Sequence, residues 1–204
     1  MTPAGSLTAK GRQTRGAIEL AARKLFAERG FHGTTLADIT SAAGKSSAVF
    51  YRYFDDKEDL LASLAESFLH DIVEPSGTRV PLPDSPEDTE YFTTVVTGYW
   101  NLFKQNIGIM IAVAQLGATQ PRFAQVQHEF RRFGIDMVAD SVRRAREQGY
   151  AQDLEPEHIA AAIALLFENF TVVVVGNPGS ELQISDADAI KTLSTIWKKT
   201  LYGR

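Results

Sequence analysis

The chain has 204 residues, a formal net charge of -4 and no cysteine, and 44% of its residues are hydrophobic. This length allows a substantial buried core in one large or two small domains. The absence of cysteine excludes disulfides and thiolate chemistry and suits a reducing cytoplasm. No signal peptide and no bilayer-spanning stretch is predicted, so we expect a cytoplasmic protein that makes no membrane contact.

The charge is distributed unevenly along the chain. Residues 1–54 carry eight Lys/Arg against three Asp/Glu, a net charge of +5, whereas residues 55–204 carry 13 against 22, a net charge of -9. A basic N-terminal segment on an acidic protein indicates a polyanionic partner bound at one end. Ordinary surface charge is the alternative.

The first predicted helix begins at Thr8 or Lys10 and runs to Arg29, where Gly30 ends it. In the next stretch, Thr35 is predicted to cap a short helix in a capping-box pattern with Asp38. Gly44 then makes a turn, and a second short helix is predicted over 46–54. A rigid helix, a glycine-containing turn and a slim second helix are the features of a helix-turn-helix, whose second helix enters the DNA major groove.

The segment 12–61 resembles the DNA-binding domain of the TetR family of bacterial transcriptional regulators. Family members often have an apolar residue where Lys45 stands, a lysine at Ser47 and a glycine at Ala48. These departures bear on the choice of operator. The matching motifs are FAERGF at 26–31, TT at 34–35, Ile39, AAG at 42–44, FYRYF at 50–54 and KEDLL at 57–61.

The resemblance implies double-stranded operator DNA as a partner. Side chains at the start of the second short helix are expected to read bases, because they can donate hydrogen bonds or contact a thymine methyl. Tyr51 and Lys57 are expected to hold phosphate. The N-terminal cations lie along phosphate or form a solvated arm. The expected DNA-contacting residues are Arg12, Arg15, Thr35, Lys45, Ser46, Ser47, Ala48, Val49, Tyr51, Arg52 and Lys57.

The rest of the chain also reads as helices, so the predicted fold is all-α, without internal repeats. We predict a helix-turn-helix domain over 8–56 and a larger ligand-binding and dimerisation domain over 57–204, connected by helix 57–74. A loop rich in proline and glycine follows over 75–86. Later helices are predicted at 86–105, 107–116, 121–149, 157–175 and 185–202.

The β-branched run at 171–175 reads locally as a strand. It continues the apolar helical pattern of Ile159, Ile163, Leu166 and Phe170, and no partner strand is apparent. We therefore predict a helix here.

Polar residues interrupt the apolar C-terminal helices, and a buried carboxylate or amide needs a partner. An internal hydrogen bond or a pair across a dimer interface is one interpretation. The other is that Glu168 or Asn169 holds the polar end of a ligand in an apolar pocket. The C-terminal half is more weakly similar to a TetR-family member with a long apolar pocket, which implies a lipophilic effector. The expected ligand residues are Val95, Tyr99, Leu102, Asn106, Met110, Phe130, Met137, Glu168, Asn169 and Val172.

The last two helices are apolar on more than one face. One face can pack on the core, and a second subunit can cover the other as a four-helix bundle. That all of it forms the internal core is the alternative. The residues expected at a homodimer interface are Leu166, Phe170, Val174, Ile190, Leu193 and Trp197.

The sequence contains no pattern typical of an enzyme. Its four histidines are scattered, and neither a metal-ligand spacing, a phosphate-binding glycine loop nor a nucleophile elbow is present, so no metal or cofactor is expected. We therefore predict a ligand-responsive transcriptional regulator, and specifically a repressor released by a lipophilic small molecule. A helical small-molecule-binding protein without specific DNA recognition is the alternative.

Overall fold

The computed structural model describes residues 8–73, 80–153, 155–176 and 182–203. These ranges contain nine α-helices and no β-strand, as the all-α prediction requires. The helices are α1 (Ala9–Arg29), α2 (Leu36–Ala42), α3 (Ser47–Phe50), α4 (Lys57–Val73), α5 (Thr89–Gln105), α6 (Ile107–Gly117), α7 (Pro121–Glu147), α8 (Pro156–Gly176) and α9 (Asp186–Tyr202).

Most helices begin and end where the sequence predicts. Thr8 caps α1, and Gly30 ends it with a positive φ of 71°. The run at 171–175 is helical up to Gly176, which confirms the helix prediction there. The packing of α8 within a helical unit therefore outweighs the strand propensity of four valines. The predicted end of α4 at Glu74 and the loop residues 75–79 lie outside the described residues.

Two predicted helices are shorter than expected. Regular helix α3 spans only Ser47–Phe50, because the backbone tightens afterwards into turns in which the Arg52 amide donates to Val49 and the Tyr53 amide to Phe50. Helix α5 begins at Thr89 instead of Pro86. The Ser85 hydroxyl accepts from the Glu87 amide in a preceding turn, so it does not cap a helix.

The described residues form two compact units. Unit 1 comprises residues up to Phe68 together with Gly108–Ala124, and unit 2 comprises the described parts of Leu69–Ile107 and Gln125–Arg204. This division differs from the expected boundary at residue 56, because the first three turns of α4 and most of α6 belong to unit 1. The chain passes from unit 1 to unit 2 within α4.

Unit 1 has its own apolar core, built on α1, α2, α3, α4, α6 and the first residues of α7. Close contact between α6 and α1 requires glycine at Gly108, because a Cβ there would lie 2.5 Å from the backbone of Phe26 and of Ala27. This contact explains why the apolar α6 belongs with the N-terminal helices. The fully buried large side chains of this core are Ile18, Phe26, Ile39, Phe50, Leu60, Leu61, Leu64, Phe68 and Phe123.

Unit 2 is built around an aromatic cluster. Phe92 on α5 lies edge-to-face against Trp197 on α9, with ring centroids 5.3 Å apart. The Trp197 Nε1 donates to Ser141 Oγ on α7 at 3.1 Å, which satisfies the buried indole N–H. Helices α5, α7, α8 and α9 all contribute side chains to this core.

Helix α8 corrects the expectation that no stretch of the chain is long and apolar enough to span a bilayer. The helix has 21 residues and contains an 18-residue window with a mean hydropathy of 2.1, so it is long and apolar enough to cross a membrane by length and composition alone. The valine run extends the apolar stretch to this length. A single helix of this kind is weak support for a membrane span, and Ala160, Ile163 and Phe167 anchor this one in the core of unit 2.

Candidate functional site

The predicted capping box of α2 is present. The Asp38 amide donates to Thr35 Oγ1 at 3.1 Å, and the Thr35 amide donates to Asp38 Oδ2 at 2.8 Å. The Thr35 hydroxyl also donates to the same carboxylate oxygen, at 2.6 Å. These bonds to the Thr35 side chain and backbone hold the pKa of Asp38 below its ordinary value. The Thr35 side chain is therefore already committed to holding the start of α2.

The turn between α2 and α3 depends on a left-handed residue. Gly44 has a φ of 63°, a conformation that costs a glycine little. The Lys45 amide then donates to the Thr40 carbonyl at 2.9 Å. Ser46 caps α3, and its hydroxyl accepts from the Val49 amide at 3.4 Å. The two short helices thus have the connection that the sequence predicts.

Most predicted base-reading and phosphate-contacting residues lie together on the surface of unit 1. Phe50 points inward and is fully buried, so the other residues of α3 form the outward side. Tyr51 is 58% exposed at the end of this side. Arg52 is exposed, and its guanidinium lies beside the Tyr53 ring. On the outward side, Lys45 and Val49 are half-buried, and the exposed residues are Ser46, Ser47, Ala48, Tyr51 and Arg52.

Two predicted phosphate contacts form hydrogen bonds within unit 1 and are partly exposed. Lys57 Nζ donates to the carbonyls of Phe31 and Thr34, both at 2.7 Å, and lies 4.2 Å from the Phe31 ring centroid. Burial lowers the pKa of this ammonium. Arg15 donates through Nε to Glu19 at 2.8 Å and through Nη2 to Ser63 at 2.6 Å. Arg12, the third N-terminal candidate, is exposed on α1.

The predicted ligand residues are distributed over both units. In unit 2, the Tyr99 hydroxyl on α5 lies 3.0 Å from Thr171 Oγ1 on α8. Burial raises the pKa of this phenol, so it is neutral at physiological pH. The Tyr99 ring lies 4.3 Å from that of Phe103 and 5.5 Å from that of Phe167. Thr171, which the sequence did not single out, thus forms a buried hydroxyl pair with Tyr99.

The polar residues of α8 do not behave as one group. Glu168 accepts from Nε and Nη2 of Arg131 on α7, both at 2.8 Å, in a two-pronged ion pair. This bond raises the pKa of the Arg131 guanidinium. Asn169 is exposed. The pairing of Glu168 is the internal contact that the sequence left open, and it weakens the case for this carboxylate as a ligand group.

The remaining expected ligand residues differ in burial. Asn106 is buried at the end of α5, and its side-chain amide donates to the Leu102 carbonyl at 2.8 Å. Phe130 is buried in unit 2, and Met110 is buried in unit 1. Val95, Leu102, Met137 and Val172 are half-buried.

A groove of about 560 Å³ lies between α5 and α9 in unit 2. None of the predicted ligand residues lines it. Its walls are formed by Thr89, Phe92, Thr93, Ala187, Ile190, Lys191, Ser194, Thr195, Lys198 and Lys199.

The residues expected at a dimer interface divide into three groups. Leu166 is 39% exposed. Phe170, Val174 and Ile190 are half-buried against the core of unit 2. Leu193 and Trp197 are fully buried within the protomer, which corrects their assignment to an outward face. The outward face of α8 instead consists of Ala162, Leu165, Leu166, Asn169 and Val173.

Comparisons with known proteins agree with this geometry. The model of the family described as bacterial regulatory proteins, tetR family, matches residues 18–64, and that of the transcriptional regulator EthR, C-terminal domain, matches residues 92–203. The chain is 28% identical over 207 residues to the HTH-type transcriptional regulator EthR of Mycobacterium tuberculosis, covering 98% of this chain and 94% of that protein. It is also 39% identical over 70 residues to the HTH-type transcriptional repressor KstR2 of Rhodococcus jostii, covering 34% of each chain.

Solved structures share the fold. A crystal structure described as a transcriptional regulator from Saccharomonospora viridis in complex with choline has a TM-score of 0.67 and 17% identity, and the match covers 92% of this chain and 95% of that one. The relatives are described as transcriptional regulators, the class of protein that the sequence predicted. The chain therefore belongs to the TetR family of bacterial transcriptional regulators and carries a C-terminal domain of the EthR type.

Proposed function

We propose that this regulator is a cytoplasmic repressor that binds operator DNA as a homodimer and is released by a lipophilic small molecule. The observation that carries the DNA-binding part is the outward side of α3. A capped helix start follows a left-handed glycine turn, and exposed hydroxyl and cationic side chains cover the side opposite the buried Phe50. A helix of this kind can enter a major groove and read base edges.

The outward face of α8 supports the homodimer. Leu165 is 46% exposed and Val173 is 36% exposed, at positions that share one helix face with Leu166. Ile196 on α9 is also 36% exposed. A second copy that packs on α8 and α9 would bury these four large apolar side chains, and a two-fold dimer uses the same surface on both subunits.

The interior of unit 2 supports a lipophilic effector. The hydroxyl pair of Tyr99 and Thr171 offers a polar contact among apolar side chains, and its neighbours include Phe103 and Phe167. Ligand sites combine such apolar linings with a few polar groups that fix orientation. We propose this pair as the polar contact in place of Glu168, whose carboxylate is bound by Arg131.

The test is binding of the purified protein to the DNA upstream of its own gene. We expect a specific complex whose affinity falls by roughly 10³–10⁵ between about 50 and 200 mM salt, the range for about 6–10 phosphate contacts. Affinity that stays flat over this range contradicts the proposed electrostatic contacts. Binding that is equal for upstream and unrelated DNA favours the alternative, a small-molecule-binding protein without specific DNA recognition.

A further inference from the structure

We propose that the groove between α5 and α9 is a second ligand site in unit 2, and that its ligand is an amphipathic carboxylate with one charged head and an apolar chain. The groove has a volume of about 560 Å³, within the ordinary range of small-molecule sites. A ligand here is distinct from the effector proposed above, because neither Tyr99 nor Thr171 lines this groove.

The floor of the groove is apolar. Phe92 on α5 is only 1% exposed, and Ile190 on α9 is half-buried against the same core. The nearby hydroxyl groups of α9 are bound by the helix backbone, since Ser194 donates to the Ile190 carbonyl and Thr195 to the Lys191 carbonyl, both at 2.7 Å. An apolar chain can therefore be buried on this floor without leaving these hydroxyl groups unpaired.

Three lysines of α9 line the groove, namely Lys191, Lys198 and Lys199. Within the part of the chain that the structure describes, none of the three forms an ion pair. Lys104 on α5 does form one, because its ammonium lies 2.6 and 2.8 Å from the carboxylate oxygens of Asp186. Lys198 is half-buried, so its aliphatic stem can lie along the groove while the ammonium stays at the rim. A singly charged head matches this one sheltered ammonium.

The charges along α9 give the ligand a direction. Asp186 and Asp188 lie in the first turn of the helix, whereas Lys198 and Lys199 lie near its end. An anionic head is repelled by the first pair and attracted by the second. The carboxylate is therefore placed beside Lys198 and the chain runs towards Ala187, a distance of about 17 Å along the helix axis at about 1.5 Å per residue.

The proposed dimer leaves the groove open. Ile196, the residue of α9 in the proposed dimer surface, is two residues from Lys198 and five from Lys191. At about 100° per residue, these positions differ by about 200° and 140° around the helix axis. Ile190, which the sequence placed at a dimer interface, lines the groove instead. A second copy of the chain is therefore the competing occupant of the groove.

The experiment uses laurate that carries a photoreactive diazirine at the end of its chain. After irradiation, mass spectrometry locates the label, and the laurate concentration at half-saturation measures the affinity of the labelled site. We expect saturable labelling at the starts of α5 and α9, around Thr89 and Ala187. Labelling that does not saturate there, or that saturates only at peptides containing Tyr99 or Thr171, overturns the proposal.

The role of the lysines is tested with the double variant Lys198→Gln and Lys199→Gln. We expect the half-saturating laurate concentration to rise by about tenfold, since two exposed ion pairs are lost, and the difference to narrow at high salt. The matched control is Lys10→Gln with Arg132→Gln, which removes the same charge from exposed positions outside the groove. Equal affinities of the two double variants contradict the charged contact. Displacement by dodecyl phosphate at lower concentration than by unlabelled laurate contradicts the carboxylate head.

A third variant separates the ligand from a second subunit. Ala187→Trp places a large side chain in the groove from an exposed position of α9, so the fold should be preserved. We expect labelling at α5 and α9 to be lost, with an unchanged circular dichroism spectrum and an unchanged sedimentation coefficient. Labelling equal to that of the wild-type protein overturns the ligand site. A change from dimer to monomer overturns it as well, because it would show that a second copy covers the groove.

Discussion

The hydroxyl of Tyr99 lies 3.0 Å from Thr171 Oγ1, so that one hydrogen bond joins α5 to α8 inside unit 2. Thr171 is only 1% exposed. Removing one partner of such a pair leaves the other hydroxyl without that bond in a dry environment, which costs more than removing both.

We expect Tyr99→Phe to lower the free energy of unfolding by about 0.5–1.5 kcal/mol, the range for a neutral hydrogen bond. The measurement is urea unfolding followed by circular dichroism. Tyr51→Phe is the matched control, because it removes a hydroxyl from an exposed ring. Thr171→Val should lower the free energy of unfolding less in the Tyr99→Phe background than in the wild-type protein. Equal costs in both backgrounds would show that the two hydroxyls do not interact.

Asp38 should make the stability of unit 1 sensitive to acid. The Thr35 hydroxyl and amide lower the pKa of Asp38 in the folded state below its ordinary value of 3.8. A lowered folded pKa contributes stability that is fully present above 3.8 and is lost as pH falls through the folded value. We therefore expect Asp38→Asn to be less stable than wild type at pH 7 and the difference to narrow below pH 3.8.

Thermal unfolding at several pH values measures this difference. Thr35→Ala removes the partner hydroxyl, so it should also reduce the acid sensitivity that depends on Asp38. A stability difference between wild type and Asp38→Asn that is constant from neutral to acidic pH contradicts the role assigned to the capping box.

The helix-turn-helix could be predicted from the sequence because its signals are local. The Thr35–Asp38 box, the Gly44 turn and the Ser46 cap each lie within a few residues of one another, and all three have the expected hydrogen bonds or dihedral angles. The hydrogen bonds that Arg15 and Lys57 form within unit 1 could not be predicted in this way. Lys57 donates to backbone carbonyls 23 and 26 residues away, and a carbonyl has no sequence signature.

In the C-terminal half, the sequence also could not predict what covers an apolar helix face. Leu193 and Trp197 have the apolar character of interface residues, yet both are buried in the core of unit 2 within one protomer. Periodicity identifies an apolar stripe but does not say whether the protomer or a second subunit covers it. Leu165 and Val173 belong to the same apolar pattern but are exposed. Glu168 presents the same difficulty, because its partner Arg131 is 37 residues away.

The two kinds of DNA contact should be separable with two hydroxyl deletions. Ser47→Ala removes a hydroxyl from the outward side of α3, where we propose base reading, and should change which operator bases are preferred. Tyr51→Phe removes a proposed phosphate contact and should weaken all sequences about equally. Selection from a random pool followed by sequencing measures both. A changed base preference in Tyr51→Phe would show that the proposed division of roles is incorrect.

The proposed dimer should depend on the exposed face of α8. We expect Leu166→Glu and Val173→Glu to convert the protein to a monomer at micromolar concentration, because an unpaired charge buried in an interface is strongly unfavourable. Leu20→Glu is the control, since Leu20 is an exposed leucine of unit 1 with 71% exposure. Sedimentation velocity reports the outcome. A wild-type protein that sediments as a monomer at this concentration rules out the dimer.

A lipophilic effector should lower operator affinity, and operator DNA should lower effector affinity by the same factor. Two recognition helices must lie about 34–36 Å apart to enter successive major grooves, so a small change in the angle of α4, which runs from unit 1 into unit 2, can spoil the fit. An effector shifts the equilibrium only by its differential affinity for the two states, typically about 1–3 kcal/mol or 5–150-fold.

The measurement is calorimetric titration of a co-purified or screened effector with and without the operator duplex. Tyr99→Phe should weaken effector binding both with and without DNA. The ratio of the two effector affinities should stay the same, because the variant alters the proposed polar contact and not the coupling between the effector site and DNA. Equal effector affinity with and without DNA would mean that the bound molecule is not a regulator of operator binding.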